Sequence, residues 1–439
     1  MTEIAGIPYV AARFDKNGAA LNANEVKVPA GTTDLFVLAH GWNNDDAAAE
    51  RLYRELFQNF AAVAQDVLAK RKVAIIGVIW PSKKFTDVVE AAVAEQGGAS
   101  AGLAGSSKAA DDTLEKKLDL IAKMFGSEAT AKIKKAKGLI AKLESDPAAR
   151  DEFVNELRSL LDPSAAHDED NSKLYLKMKG SEMIEKLKVP TPLAARDSGG
   201  GGGAASVTRA AAKTSEGGAA GLGDIFSGVK AGAMRFLNYF TYYEMKARAG
   251  TVGQKGVGPM LDRLAGKVQR LHLVGHSFGG RVVTAAAAGS STDKIQSMSL
   301  LQTAFSHNGF SRSMNGFFRS VVDQERVKGP ILVTHTPNDK AVGIAYPTAS
   351  RLSGTIASAF GDKDDKFGGL GRNGVQKMET GEVITGVAEI LPVGSKYPWK
   401  PGRFHNLEGS KFIVDPTGKD AHGAVTGKEI AWAISRAMG

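Results

Sequence analysis

The stretch from Arg270 to Ala288 puts the tightest limits on this chain. It reads "RLHLVGHSFGGRVVTAAAA". Leu271, Leu273 and Val274 give a short apolar run that fits a strand buried in a parallel sheet. Arg281 to Ala288 is alanine-rich and reads as a helix. Between them lies Gly275-His276-Ser277-Phe278-Gly279, with Gly280 following. The spacing predicts a strand, a sharp turn and a helix, with a serine forced into a strained backbone at the turn. Glycine fills 51 of 439 positions, so a G-x-S-x-G match by itself has a high chance frequency. Its setting gives it meaning. Gly275, Gly279 and Gly280 would let strand and helix approach closely, and a helix N-terminus favours negative charge beside it.

Other strands are expected at Asp34–Ala39 ("DLFVLA"), Val73–Trp80 ("VAIIGVIW"), Gln296–Gln302 and Pro330–Thr334 ("PILVT"), with later ones at Ile384–Leu391 and Lys411–Val414. Helical spacing marks Asp46–Leu68 and Lys428–Ala437. The aromatic-rich Phe236–Arg248 reads as a helix whose stripe packs a core. Strands alternating with helices imply an α/β fold, a mostly parallel sheet covered on both faces. Residues 82–222 interrupt the series. Leu114, Leu118, Ile121 and Phe125, then Ile133, Ile140 and Leu143, recur at helical spacing, and Asp146-Pro147 starts another helix. A glycine-rich tract fills 197–206 and is expected to be mobile. The organisation expected is therefore a core in two parts, 1–81 and 223–439, split by a large helical insertion before the serine.

Composition excludes several classes. The chain has no cysteine, which removes disulfides, a cysteine nucleophile and thiolate metal sites. No apolar run reaches the length of a membrane span, and the first residues lack a signal-peptide layout, so a cytoplasmic home is expected, with export by a route needing no cleaved signal left open. The formal net charge is +9. The charges are dispersed, only "KIKKAK" at Lys132–Lys137 is locally basic, and no nucleic-acid-binding signature is present.

A serine hydroxyl becomes a nucleophile at neutral pH when a histidine takes its proton, a carboxylate orients that histidine and donors receive the oxyanion. Asp339 follows an apolar strand at the edge where parallel sheets bind ligands, and is the acid expected. Asp323, in a helix-like stretch, is its rival. His422, on the loop before the last helix, is the base expected, with His405 as rival. His272, His276 and His335 lie in or beside strands and are expected to point elsewhere. The backbone amides of Trp42, after "LAHGW", and of Phe278 are the oxyanion donors expected.

The order of oxyanion loop, serine, aspartate and histidine is that of an α/β-hydrolase. Through "LAHGW", "GHSFGG", "HTPNDKAVG" and "DAHG" the chain resembles that superfamily over roughly Asp34–Trp80 and Met234–Met438. "YYEMKARAGTVGQKGVG", "QTAFSHNGF" and "AYPTASRL" make it similar to a group of bacterial hydrolases mostly without assigned function. The resemblance implies an esterase or lipase activity on a small-molecule or lipid ester, with neither metal nor organic cofactor. It leaves acyltransferase or thioesterase chemistry, or a binding protein on the same scaffold, as alternatives. Members of the superfamily often carry a cap after the strand that follows the serine. Here the insertion precedes the serine, and its apolar helices would cover the acyl pocket or touch a lipid interface. The sequence does not fix the oligomeric state.

Overall fold

The computed structural model describes residues 2–42, 44–82, 107–188, 228–339, 341–342, 366–415 and 421–439. The glycine-rich tract at 197–206 lies outside them, as do 83–106 and the rest of 189–222.

Among the described residues eight strands form one sheet: β1 Thr2–Ile4, β2 Ile7–Arg13, β3 Asp34–Ala39, β4 Val73–Ile79, β5 Arg270–His276, β6 Ile295–Leu301, β7 Ile331–His335 and β8 Phe404–Glu408. Their order across the sheet is β1-β2-β4-β3-β5-β6-β7-β8. β1 runs antiparallel to β2, and every other pairing is parallel. The central strands are buried on both sides. Their period of two survives as a division between cores: Leu35, Val37 and Ala39 face one, Phe36 and Leu38 the other.

The longer helices are α1 Asp46–Val63, α2 Ser107–Phe125, α3 Thr130–Leu139, α4 Pro147–Arg158, α5 Val229–Thr251, α6 Gly258–Ala265, α7 Phe278–Gly289 and α8 Lys428–Arg436. Asp45 caps α1 by accepting the Ala48 amide at 2.9 Å, and Asp146 caps α4 with Pro147 in its first turn. α1 ends at Ala64, and Gln65–Leu68 is a separate turn, so the expected 46–68 helix is broken near its end. α1 and α8 cover one face of the sheet, and α5 to α7 lie over the other. Among the described residues no helix is long and apolar enough to cross a membrane.

Two expected strands are absent. Residues 383–391 run beside β8 through isolated bridges only, Val383 with Phe404 and Glu389 with Glu408. Lys411–Val414 is a turn, closed by the Phe412 and Ile413 amides on Gly409 O, with Ile413 buried over Gly409. β8 itself is half polar and carries no apolar run.

The aromatic stripe of α5 is core, as its spacing predicts. Phe236 packs on Phe153 at 6.2 Å and on Tyr175 at 5.7 Å, and Phe240 lies 5.7 Å from Phe125. Each such ring contributes about 2 kcal/mol by leaving water. The helices between 107 and 188 thus share one continuous hydrophobic cluster with the sheet face below them.

A buried polar cluster pins the same region. Lys246 of α5 pairs with Asp170 and donates to Ser172 at 3.2 Å. Arg281 of α7 donates Nε to the Lys246 carbonyl at 2.9 Å, its guanidinium 4.6 Å from the Phe317 ring. Glu169 accepts the Phe317 amide at 2.8 Å. Burial, then the neighbouring Asp170 charge, pushes the Glu169 carboxyl up to about 7. Between its ordinary value and 7 the folded chain holds a proton that the unfolded chain has released. That contribution to stability is lost as pH rises through the window. Glu169→Gln cannot titrate. Urea unfolding should find it level with wild type near pH 4.5 and more stable by on the order of 2 kcal/mol at pH 8. Equal differences at both pH values would contradict this.

Candidate functional site

The parallel strands end together at one edge of the sheet. β3 runs into Gly41 and Trp42, β5 into Ser277, β6 into Gln302, and β7 into the loop carrying Asp339. This is the edge at which open α/β sheets bind ligands.

Ser277 sits between β5 and α7 with φ 56° and ψ −126°, a conformation that side chains disfavour. Its amide donates to Leu301 O at 3.0 Å, and its carbonyl accepts from Gly280 N at 3.0 Å and Ala304 N at 3.1 Å. Those bonds tie the turn to β6 and hold the strain. The glycines make the turn possible. A methyl on Gly275 would lie 2.4 Å from Gly279 O, and one on Gly280 would lie 2.1 Å from Thr303 Oγ1. Gly41 crosses directly above the serine: a methyl there would lie 2.7 Å from Ser277 Cβ and 3.2 Å from Ser277 Oγ.

Asp339 is fully buried. Its Oδ2 accepts from His422 Nδ1 at 2.9 Å and from Gln302 Nε2 at 3.1 Å, and its Oδ1 accepts the Val342 amide at 2.9 Å. A neutral His422 with its proton on Nδ1 presents a lone pair at Nε2. The backbone around His422 is anchored by His276, whose Nε2–H donates to the His422 carbonyl at 2.8 Å, with the two rings 4.9 Å apart. His276 therefore does not point away from the site, as its place on a strand suggests. It is the last residue of β5, and its side chain leaves the sheet toward the His422 loop. Burial pulls its pKa down to about 3, so it stays neutral.

Phe278 is the first residue of α7, and amides of a first helical turn lack an acceptor within the helix. Its ring meets Trp42 at 5.9 Å and Tyr242 of α5 at 5.1 Å. Trp42, Phe278 and Tyr242 thus form an aromatic group beside the serine.

The rival residues have other partners. Asp323 is held by Arg312 at 2.6 Å and Arg319 at 2.8 Å. His405 lies on β8, accepts the Lys400 amide at 3.1 Å and stands edge-on to Trp399. His272 bridges Asp34 at 3.0 Å and Ser297 at 2.8 Å near the start of β5, the far end from Ser277. His335, at the end of β7, has its pKa lowered by burial.

Gln302 is a residue that sequence reasoning misses. It sits just past β6 at φ 42°, accepts from Thr334 Oγ1 at 3.0 Å and donates to Asp339. A glutamine after an apolar strand carries no local signal of this. Its role arises only because β6 and β7 are neighbours. Among the described residues no group of three or more His, Asp or Glu side chains is placed to share a metal ion.

Compared with protein-family models, with curated proteins and with solved structures, the chain matches none.

Proposed function

We propose that the chain is a serine hydrolase of the α/β-hydrolase kind that cleaves carboxylic esters. One observation carries the reading: a serine at φ 56° on a strand-to-helix turn shares a sheet edge with a buried Asp339 that holds the part-exposed His422 at 2.9 Å. Strain of this sort costs about 1–3 kcal/mol and persists where function requires it. That weighs against a scaffold that only binds.

Ser277 Oγ attacks the acyl carbon as its proton passes to His422 Nε2. Asp339 remains ionised and holds the Nδ1–H, which fixes the ring and stabilises the imidazolium. The carbonyl oxygen becomes an oxyanion and takes hydrogen bonds from the Trp42 and Phe278 amides. His422 returns the proton to the leaving alcohol, and water, activated by the same histidine, releases the acid. The rings of Trp42, Phe278 and Tyr242 favour an apolar acyl chain or an aromatic ester. The helices between 107 and 188 act as a cap over this edge. Their core is continuous with that of the sheet, which supports a fixed wall rather than a moving lid.

Labelling with a fluorophosphonate tests the reading. Wild type should carry the adduct on Ser277. His422→Ala should slow labelling by at least about 100-fold, the scale of a lost general base, and His405→Gln should leave it unchanged. Labelling that survives His422→Ala and fails in His405→Gln would move the base to β8. An unlabelled wild type would remove the hydrolase reading.

A further inference from the structure

We infer that the Trp42 amide is set in place from its far side, by three side chains that converge on the carbonyl of Gly41. This rests on the hydrolase reading and extends it to residues that never touch substrate. His40 Nδ1 lies 2.9 Å from Gly41 O, Ser82 Oγ 3.1 Å and Asn44 Nδ2 3.2 Å. A carbonyl oxygen has two lone pairs, which the His40 and Asn44 N–H groups fill, while the single Ser82 hydroxyl proton is shared between Gly41 O and Asn44 O. Gly41 C=O and Trp42 N–H belong to one planar trans peptide and point in opposite directions. Fixing the oxygen therefore fixes the N–H. Gly41 is also the residue that crosses over Ser277 Cβ and Oγ, so this peptide plane borders the attacked carbon.

The tautomer of His40 follows from its partners. The Trp80 amide can only donate, and it lies 3.3 Å from Nε2. Gly41 O can only accept, so the ring proton sits on Nδ1. Burial pulls the His40 pKa down to about 4, which keeps the ring uncharged near neutral pH, and its two partners hold the tautomer. The ring is further fixed by stacking on Trp80 at 5.7 Å, and Trp80 Nε1 donates to His40 O at 3.0 Å. Ser82 is fully buried two residues after Trp80, and its hydroxyl also lies 3.0 Å from Asn44 O. It joins the end of β4 to both ends of the Gly41–Asn44 loop. His40, Asn44 and Ser82 are thus positioning residues. They act on the oxyanion through the peptide that they hold, and should affect the transition state far more than substrate binding.

The test uses the full chain with Ser82→Ala, Asn44→Ala and the double variant. Each is assayed for kcat and KM on an aryl ester and for inhibition by a trifluoromethyl ketone, whose serine adduct carries an oxyanion. Each single variant should lose about tenfold in kcat, below the 10²–10³ of a deleted donor, and the double variant about 100-fold. KM should stay within about twofold, and ketone inhibition should weaken in step with kcat. If Ser82→Ala fails to fold, the half-buried Asn44→Ala decides alone. A folded double variant with wild-type kcat, or one that loses only KM, overturns the inference while Ser277 labelling still stands. A wild type that neither hydrolyses esters nor labels overturns both readings together.

Discussion

Ser277→Ala is expected to lower ester turnover by at least about 10⁴-fold, since on the proposed hydrolase reading it removes the nucleophile and the acyl-enzyme route and leaves only the help of the oxyanion site and binding. Substrate should still bind, because Trp42, Phe278 and Tyr242 keep their contacts. Alanine does not release the strain, because it has the same Cβ at φ 56°. Ser277→Gly does release it. Glycine reaches that conformation freely, at an entropic cost of about 1 kcal/mol. Set against strain of about 1–3 kcal/mol, the glycine variant should be equal to or up to about 2 kcal/mol more stable than Ser277→Ala, and equally inactive. Turnover and urea unfolding of the three proteins would check this together. Turnover of Ser277→Ala within tenfold of wild type would place the chemistry on another residue. A glycine variant clearly less stable than the alanine variant would mean that the turn holds no strain.

The parts legible in the sequence are those whose determinants are local. The apolar runs of β3 and β4 mark strands because both faces of each are buried, and Asp34–Ala39 emerges with its expected bounds. The Ser277 turn is legible because three glycines within six residues have few other uses. Asp146-Pro147 announces α4 through the chemistry of one cap. The missed parts depend on neighbours distant in sequence. β8 is half polar, and it exists because β7 offers it an edge. β1 and β2 at the opposite edge give equally weak signals, with Pro8 inside a short mixed run. Conversely, "KFIV" has strand composition but lies against Gly409 as a turn. At the candidate site, residue type and order are enough to single out Ser277, Asp339 and His422, and the structure brings Asp339 and His422 together. They are not enough for Gln302, His276 and Ser82, because each acts through a side chain or carbonyl brought close by strand order. For His276 the strand pattern pointed the wrong way, since the sheet ends at that residue.

Gly279→Ala should be among the most destabilising single substitutions in the chain, costing at least about 3 kcal/mol. A methyl there would lie 1.9 Å from Ala39 O, 2.4 Å from Ala39 C and 2.7 Å from His40 O. All three are backbone atoms, so no rotamer change relieves the contact. β3 cannot retreat, because it is paired with β4 on one side and β5 on the other. α7 would have to lift away from the sheet, carrying Phe278 away from Trp42 and the Ser277 carbonyl away from Ala304. Fluorophosphonate labelling should therefore fall along with stability. Gly138→Ala is the control. Gly138 lies in α3, where a methyl would meet nothing within 4 Å, and alanine there should stabilise by about 0.5–1 kcal/mol through helix propensity. Urea unfolding of both variants separates close approach from glycine content as the reason for the sequence. A Gly279→Ala protein within 1 kcal/mol of wild type would show slack between α7 and β3, and a turn with slack there could not hold Ser277 at its positive φ.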